Sequence, residues 1–225
     1  MPPNLRPREK ALLHGIESLS DRELLALFIR AGTPKHSALE IADQILDLSN
    51  GLRSFLMLSM SDFTKISGIK EIKAIELIAI GEMSRRMVKP STNDKIQISD
   101  PSSLMLWLNL EIGYKSQEHF LVVYLSNQNK ILSYETLFKG TIDRSVVHPR
   151  DVYRIAMQVN ATRIILVHNH PGGTLVASQA DIQVTSIMVQ SGHIVGIDVI
   201  DHIIVSHGQY LSIREKHPSL FDMKA

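Results

Sequence analysis

The feature that most limits how this chain can fold is the passage from Arg163 to Val189. It opens with Arg163-Ile164-Ile165-Leu166-Val167, a short, β-branched, apolar run of the kind that makes a buried strand. Side chains alternate along a strand, so His168 and His170 leave its end on the same side. Pro171 has no N–H to donate and ends the ladder, and Gly172-Gly173 turns the chain. A helix then follows. Ser178 stands three residues before Asp181, and the apolar period from Ile182 to Val189 is expected to close at Gly192. The order strand, turn, helix predicts an α/β unit with two imidazoles and a first-turn carboxylate at one end.

Two imidazoles and a carboxylate are one ligand short of a closed tetrahedral zinc shell, and the open position admits water, which a catalytic site needs. The chain has no cysteine, so a disulfide framework and a thiolate zinc site are both excluded, and any zinc must be held by nitrogen and oxygen. Plainer readings exist for the same residues. Histidines at a strand end can be polar tips at the rim of a sheet, and Ser178-x-x-Asp181 is equally a capping pair.

At 225 residues and 44% hydrophobic, the chain is long enough for one medium domain and a smaller one. The segment Met1-Pro-Pro-Asn-Leu-Arg-Pro-Arg-Glu-Lys carries no apolar core long enough for a signal peptide, and no later run approaches a membrane span, so a cytoplasmic protein without membrane contact is expected. A formal net charge of +1 provides none of the basic excess that non-specific nucleic-acid binding calls for.

From Glu9 to Leu48 the apolar residues fall at helical spacing. Ser20 precedes Asp21-Arg22-Glu23 as a helix start, Ala31-Gly32-Thr33-Pro34 is a break, and Ser37 opens another helix. Leu52 to Met60 reads as a short apolar helix, with Ser61-Asp62 starting the next. Ile66-Ser67-Gly68-Ile69-Lys70-Glu71-Ile72-Lys73-Ala74, followed by a helix through Arg86, resembles a helix-hairpin-helix element, in which backbone N–H groups of a tight turn meet a DNA phosphate. Lys70 stands where that element usually has its second glycine, and a plain αα-hairpin packing the bundle fits as well.

Lys89-Pro90-Ser91-Thr92-Asn93-Asp94-Lys95 has no apolar period and holds turn formers, which divides the chain into an all-α domain over 1–90 and an α/β domain over 100–225. In the second domain Asp100-Pro101 starts a helix running to about Leu110, in the order cap then proline. Strands are expected over Glu118 to Leu125 and Lys130 to Phe138, joined by Ser126-Asn127-Gln128-Asn129. Arg150 to Asn160 reads as a helix, and Ile194 to Val199 and His202 to Val205 as two further strands. A mixed sheet flanked by helices results.

His168-x-His170-Pro171 followed by Ser178-x-x-Asp181 resembles the metal-binding signature, the JAMM motif, of the JAB/MPN metalloproteases. The wording His168-Asn169-His170-Pro171 resembles the bacterial RadC family, historically labelled a DNA-repair family. Phe138-Lys139-Gly140-Thr141, Val147-His148-Pro149-Arg150 and Asp201-His202-Ile203-Ile204-Val205 resemble further signposts of that family, so the likeness covers essentially the whole chain. Gly172 stands where the family commonly has serine, and Ala177 where it commonly has proline. Neither is a ligand.

The resemblance implies a cytidine-deaminase-like mixed sheet preceded by the helical domain. It implies one catalytic Zn2+ on His168, His170 and Asp181, and hydrolysis of a peptide or isopeptide bond in a peptide or protein substrate. It also implies that Glu118, heading its strand, is the general base, and that Ser178 donates a hydrogen bond to the developing oxyanion. Glu135, on the next strand, is the alternative base, and Glu111, at a helix end, the poorer candidate. His202 and Asp198 are rival ligands, with His202 expected to support the ligands from behind. The other function class is a DNA-binding protein that touches phosphate through the amino-terminal hairpin and uses the sheet domain for docking or regulation.

Overall fold

The computed structural model describes residues 6–89, 101–140 and 147–222. Contacts divide the chain into two compact units, Met1–Met87 and Val88–Ala225. The expected linker from Pro90 to Lys95, the cap at Asp100, and Thr141 lie outside the described residues.

The first unit is helical: α1 (Pro7–His14), α2 (Asp21–Ile29), α3 (Ala38–Ser49), α4 (Leu52–Phe55), α5 (Met60–Thr64) and α6 (Glu71–Val88). Three of these starts are written in the sequence as capping boxes, Ser20 with Glu23, Ser37 with Glu40 and Ser59 with Asp62. In each, hydroxyl and carboxylate satisfy two backbone N–H groups that the first turn leaves without partners. Ser59 takes the role expected of Ser61, which draws the chain out of helix after Phe55 and shortens the helix expected over Leu52 to Met60. Leu25, Ile29, Ile41, Ile45, Phe55, Phe63 and Leu77 form the core. Gly68 sits in the turn before α6 with φ 95°, and a Cβ there would meet Thr33 Cγ2 at 2.6 Å and Ile41 Cδ1 at 2.9 Å. Glycine is therefore required by both backbone and packing.

The second unit is α7 (Pro101–Leu108), a π-turn over Asn109–Gly113, β1 (His119–Leu125), β2 (Ile131–Lys139), α8 (Pro149–Gln158), β3 (Arg163–Asn169), α9 (Gln179–Val195), β4 (Asp198–Ser206), β5 (Gln209–Ser212) and α10 (Ile213–Lys216). The sheet order is β2-β1-β3-β4-β5, with β3 and β4 parallel and the other pairs antiparallel. Alternation gives each face its own core. Phe120, Val122, Tyr124, Ile164 and Leu166 pack with α8 and α9, while Leu121, Val123, Ile165, Val167, Ile203 and Val205 pack with α7. Among the described residues, no helix is long and apolar enough to cross a membrane.

Two expectations are corrected here. The strands expected over Ile194 to Val199 and His202 to Val205 are one strand, β4, and Ile194 and Val195 belong to α9. The pairing with β3 slips between Ile164 and Ile165, so that Ile164 faces Val199 but Ile165 faces Asp201. That extra residue reverses the side-chain phase, and Ile200-Asp201, the gap between the two expected strands, is carried inside a continuous strand. Asp201 is satisfied there by Ser212 Oγ at 2.7 Å and by the backbone N–H groups of His202 and Arg214 at 2.7 and 3.2 Å.

The second correction concerns Gly192, expected to close the helix. α9 runs past it and ends at Gly196, which takes the left-handed cap at φ 72°. Gly192 serves a close approach instead: a Cβ there would collide with the Ile197 carbonyl oxygen and lie 2.6 Å from Tyr153 Oη. In an exposed helix, Gly→Ala stabilises by up to about 1 kcal/mol. Here Gly192→Ala should lower stability by about 1–3 kcal/mol as overpacking does, read as a fall in the urea midpoint; a gain in stability would contradict the close approach.

Candidate metal centre

The site is built at the carboxy-terminal end of β3. Ile164, Leu166 and His168 share one face, and His170, one residue beyond the strand, continues it. The chain then turns at His170-Pro171-Gly172-Gly173, closed by a hydrogen bond from Gly173 N to His170 O at 3.1 Å, with Pro171 in the position that suits its fixed φ. Gly173 has φ 84°, whereas Gly172 is not left-handed and a Cβ on it would meet nothing within 4 Å. The serine common at that position would fit without strain.

Ser178 is the N-cap of α9. Asp181 N donates to Ser178 Oγ at 3.2 Å, and Ser178 N and Oγ each donate to Asp181 Oδ2 at 2.7 Å. The cap occupies Oδ2 and leaves Oδ1 facing His168. His168 Nε2 lies 3.0 Å from His170 Nε2 and 3.1 Å from Asp181 Oδ1, and His170 Nε2 lies 3.6 Å from Asp181 Oδ2. Zinc bonds of about 2.0–2.1 Å in tetrahedral array put ligand atoms about 3.3 Å apart. His168, His170 and Asp181, the three residues expected as ligands, thus lie close together at separations near that figure.

The tautomers follow from the hydrogen bonds behind the cluster. Thr185 Oγ1 donates its one proton to the Asp181 carbonyl at 2.6 Å, so at 2.6 Å from His202 Nδ1 it must accept. His202 thus carries its proton on Nδ1 and accepts at Nε2, 2.8 Å from His168 Nδ1, which must be the donor. His170 Nδ1 likewise donates to the Thr174 carbonyl at 2.9 Å. Both Nε2 lone pairs are left facing each other and a carboxylate, an arrangement that needs a positive charge between them, a proton or a metal ion.

The electrostatics agree. Burial opposes ionisation of Asp181, yet the His168 and His170 rings and the Ser178 hydroxyl beside it hold its carboxyl well below the usual carboxylate range. The Asp181 carboxylate, which a protonated His170 would face, raises His170 against the opposing effect of burial. His202 is fully buried, and that burial, with His168 close by, pushes it well below the ordinary imidazole value and keeps it neutral. His168 and Asp181 are closed to solvent, while 14% of the His170 side chain is exposed, so the cluster opens on the His170 side.

Glu118 precedes β1 and is half-buried. It forms a group with His168 and His170 in which one ligand atom from each lies within 4.8 Å of the others. Glu135 instead stands exposed on β2 opposite Val122, and Asp198 is exposed at the far end of the sheet, paired with Arg163. Glu111 lies in the π-turn. Two contributors were missed at the sequence level. Thr185, four residues after Asp181 on α9, had a signal in its helical spacing. Asn169 had a weaker one, as a polar residue in an apolar strand.

A mixed sheet flanked by helices that brings two strand-end imidazoles and a helix-cap carboxylate together defines an α/β domain with a candidate metal centre. Residues 98–218 match the family model described as RadC-like JAB domain, and residues 1–75 match one described as UPF0758 N-terminal. Relatives named UPF0758 protein in Bacillus cereus (strain 03BB102) and Bacillus anthracis (strain A0248) are each 39% identical over 211 residues, 94% of this chain and 94% of the relative. One in Geobacillus thermodenitrificans (strain NG80-2) is 37% identical over 216 residues, 96% of each. This chain belongs to the RadC-like JAB family.

Thr185→Val keeps the volume but leaves the His202 Nδ1 proton without an acceptor, so zinc affinity should fall about 10–100-fold with the fold intact, as measured by competition with a chromophoric chelator. A proton on His170 competes with the metal. The raised pKa of His170 stabilises the metal-free protein below the ordinary imidazole value and ceases to do so as pH rises through the raised one, while the depressed Asp181 contributes above its ordinary value. The pair therefore supports the metal-free fold best between about pH 4 and 6.5. Added zinc should raise the melting temperature more at pH 8 than at pH 5.5; equal shifts would contradict this competition.

Proposed function

We propose that this protein is a zinc-dependent hydrolase that cleaves a peptide or isopeptide bond. The reading rests on the closeness of His168 Nε2, His170 Nε2 and the Asp181 carboxylate, with a Glu118 carboxylate oxygen within 4.8 Å of the two histidine nitrogens. The donor set, two neutral imidazoles and one carboxylate, suits zinc and leaves a coordination position open. A zinc ion held there supplies Lewis acidity, acidifying a water and polarising the carbonyl under attack.

The remaining work falls to side chains. Glu118, within 4.8 Å of the two histidine nitrogens, takes the proton of the attacking water and returns it to the leaving amine. Ser178 donates a hydrogen bond to the oxyanion in this reading. Its proton otherwise goes to Asp181 Oδ2, an oxygen that keeps the Ser178 N–H when the hydroxyl turns away. His202 and Thr185 hold His168 in the tautomer whose Nε2 is a ligand. His170, partly exposed, lies where substrate enters.

Zinc-loaded protein should hydrolyse members of a mixed library of fluorogenic peptide and isopeptide substrates, lose activity with chelator and regain it with zinc. Glu118→Gln should retain zinc and lose at least 100-fold in kcat, whereas His168→Ala should lose the zinc. A fully active Glu118→Gln would remove Glu118 from the mechanism, and zinc retained by His168→Ala would remove the proposed site.

A further inference from the structure

Between the two histidines the strand presents one side chain to the opposite face. Asn169 is fully buried, and its amide is spent on a single stretch of backbone. Oδ1 accepts from His119 N at 2.7 Å, and Nδ2 donates to the carbonyls of Lys115 and Gln117, both at 3.1 Å. These partners are 50, 54 and 52 residues away in the chain, so the clamp joins two separate segments. The segment held is the approach to β1, and Glu118 lies inside it.

The Glu118 carbonyl is tied on its other side, accepting from Gly140 N at 2.8 Å. His119 Nδ1 and Asn169 Nδ2 both donate to the Gln117 carbonyl. The main chain on both sides of Glu118 is thus fixed to the residue that separates His168 from His170. Because side chains alternate, three consecutive residues serve two purposes: the outer pair faces the cluster, and the middle one grips the segment carrying the carboxylate.

We infer that Asn169 is a positioning residue that sets the distance from the Glu118 carboxylate to the His168 and His170 nitrogens. Only an amide fills this place. It offers one acceptor and two donors in a plane, where aspartate would face two carbonyl oxygens with no proton and serine would reach too few partners. The catalytic part of the inference rests on the hydrolase reading; the clamp itself does not.

The test therefore has an arm that needs no activity. In wild-type protein, with and without zinc, the His119 amide should exchange with deuterium as slowly as those in the middle of β1; fast exchange there overturns the clamp without any variant. Asn169→Asp and Asn169→Ser should speed exchange at His119 and leave α9 and the rest of β3 protected, and unchanged exchange at His119 in either folded variant overturns the inference. In the kinetic arm, on the library substrate that wild type cleaves fastest, each variant should keep its zinc and its KM and lose about 10–100-fold in kcat, as small misplacements of a reacting group do. In the Glu118→Gln background the same substitutions should cost nothing further, since the group they position is gone. A full additional loss in that background would make Asn169 merely structural. If zinc-loaded wild type cleaves nothing, the hydrolase reading fails while the exchange arm still decides the clamp.

Discussion

An imidazole offers a metal the lone pair of one nitrogen, and which nitrogen is free depends on what the other one donates to. In this protein that choice is settled at a backbone carbonyl. Thr185 has a single hydroxyl proton and gives it to the Asp181 carbonyl, which leaves it an acceptor for His202 and makes His202 an acceptor for His168. A donor direction that begins at one peptide group on α9 ends as a free lone pair on His168. Reversing any link would turn that lone pair into an N–H pointing at its neighbours. The same α9 turn supplies Asp181, so the candidate ligand and the network behind His168 share one element.

Burying this much polarity has to be offset. His168, Asn169, Asp181, Thr185 and His202 are all buried, and an unsatisfied group in such a place costs about 1–3 kcal/mol. Each of the five has partners among the others, the cap or the backbone, which is why the cluster can sit beside the apolar core of Phe120 and Leu166. Asp181 has a double role. One oxygen closes the capping box that starts α9, and the other faces His168, so helix start and the geometry of the candidate site are a single arrangement. The slip in pairing between β3 and β4 belongs to the same design, since without it His202 would face the opposite layer.

Much of this was legible beforehand wherever the signal was local. The strand before His168, the turn, the Ser178–Asp181 cap and the capping boxes at Ser20 and Ser37 depend on residues within a few positions of one another. The failures were of two kinds. Gly192 matched a helix stop by residue type, but its neighbour across space, Tyr153, explains it better. Ile200-Asp201 looked like a break because period-two reading assumes an unbroken register, and nothing in β4 announces a bulge that exists only against β3. Asn169 escaped because its partners lie on the approach to a different strand.

The sequence alone determined the chemistry available: no thiolate, two imidazoles at the end of an apolar strand, and a carboxylate in the first turn of the helix that follows. Those facts are set by alternation, by the missing N–H of proline and by the needs of a helix start, all of which act over a few residues. Which nitrogen faces inward, which of three glutamates stands near it, and what holds that glutamate there were decided by tertiary structure. The reason is physical: hydrogen-bond direction and ligand spacing are fixed by groups that meet only when β1, β3, β4 and α9 pack, and no local pattern carries the distance between them.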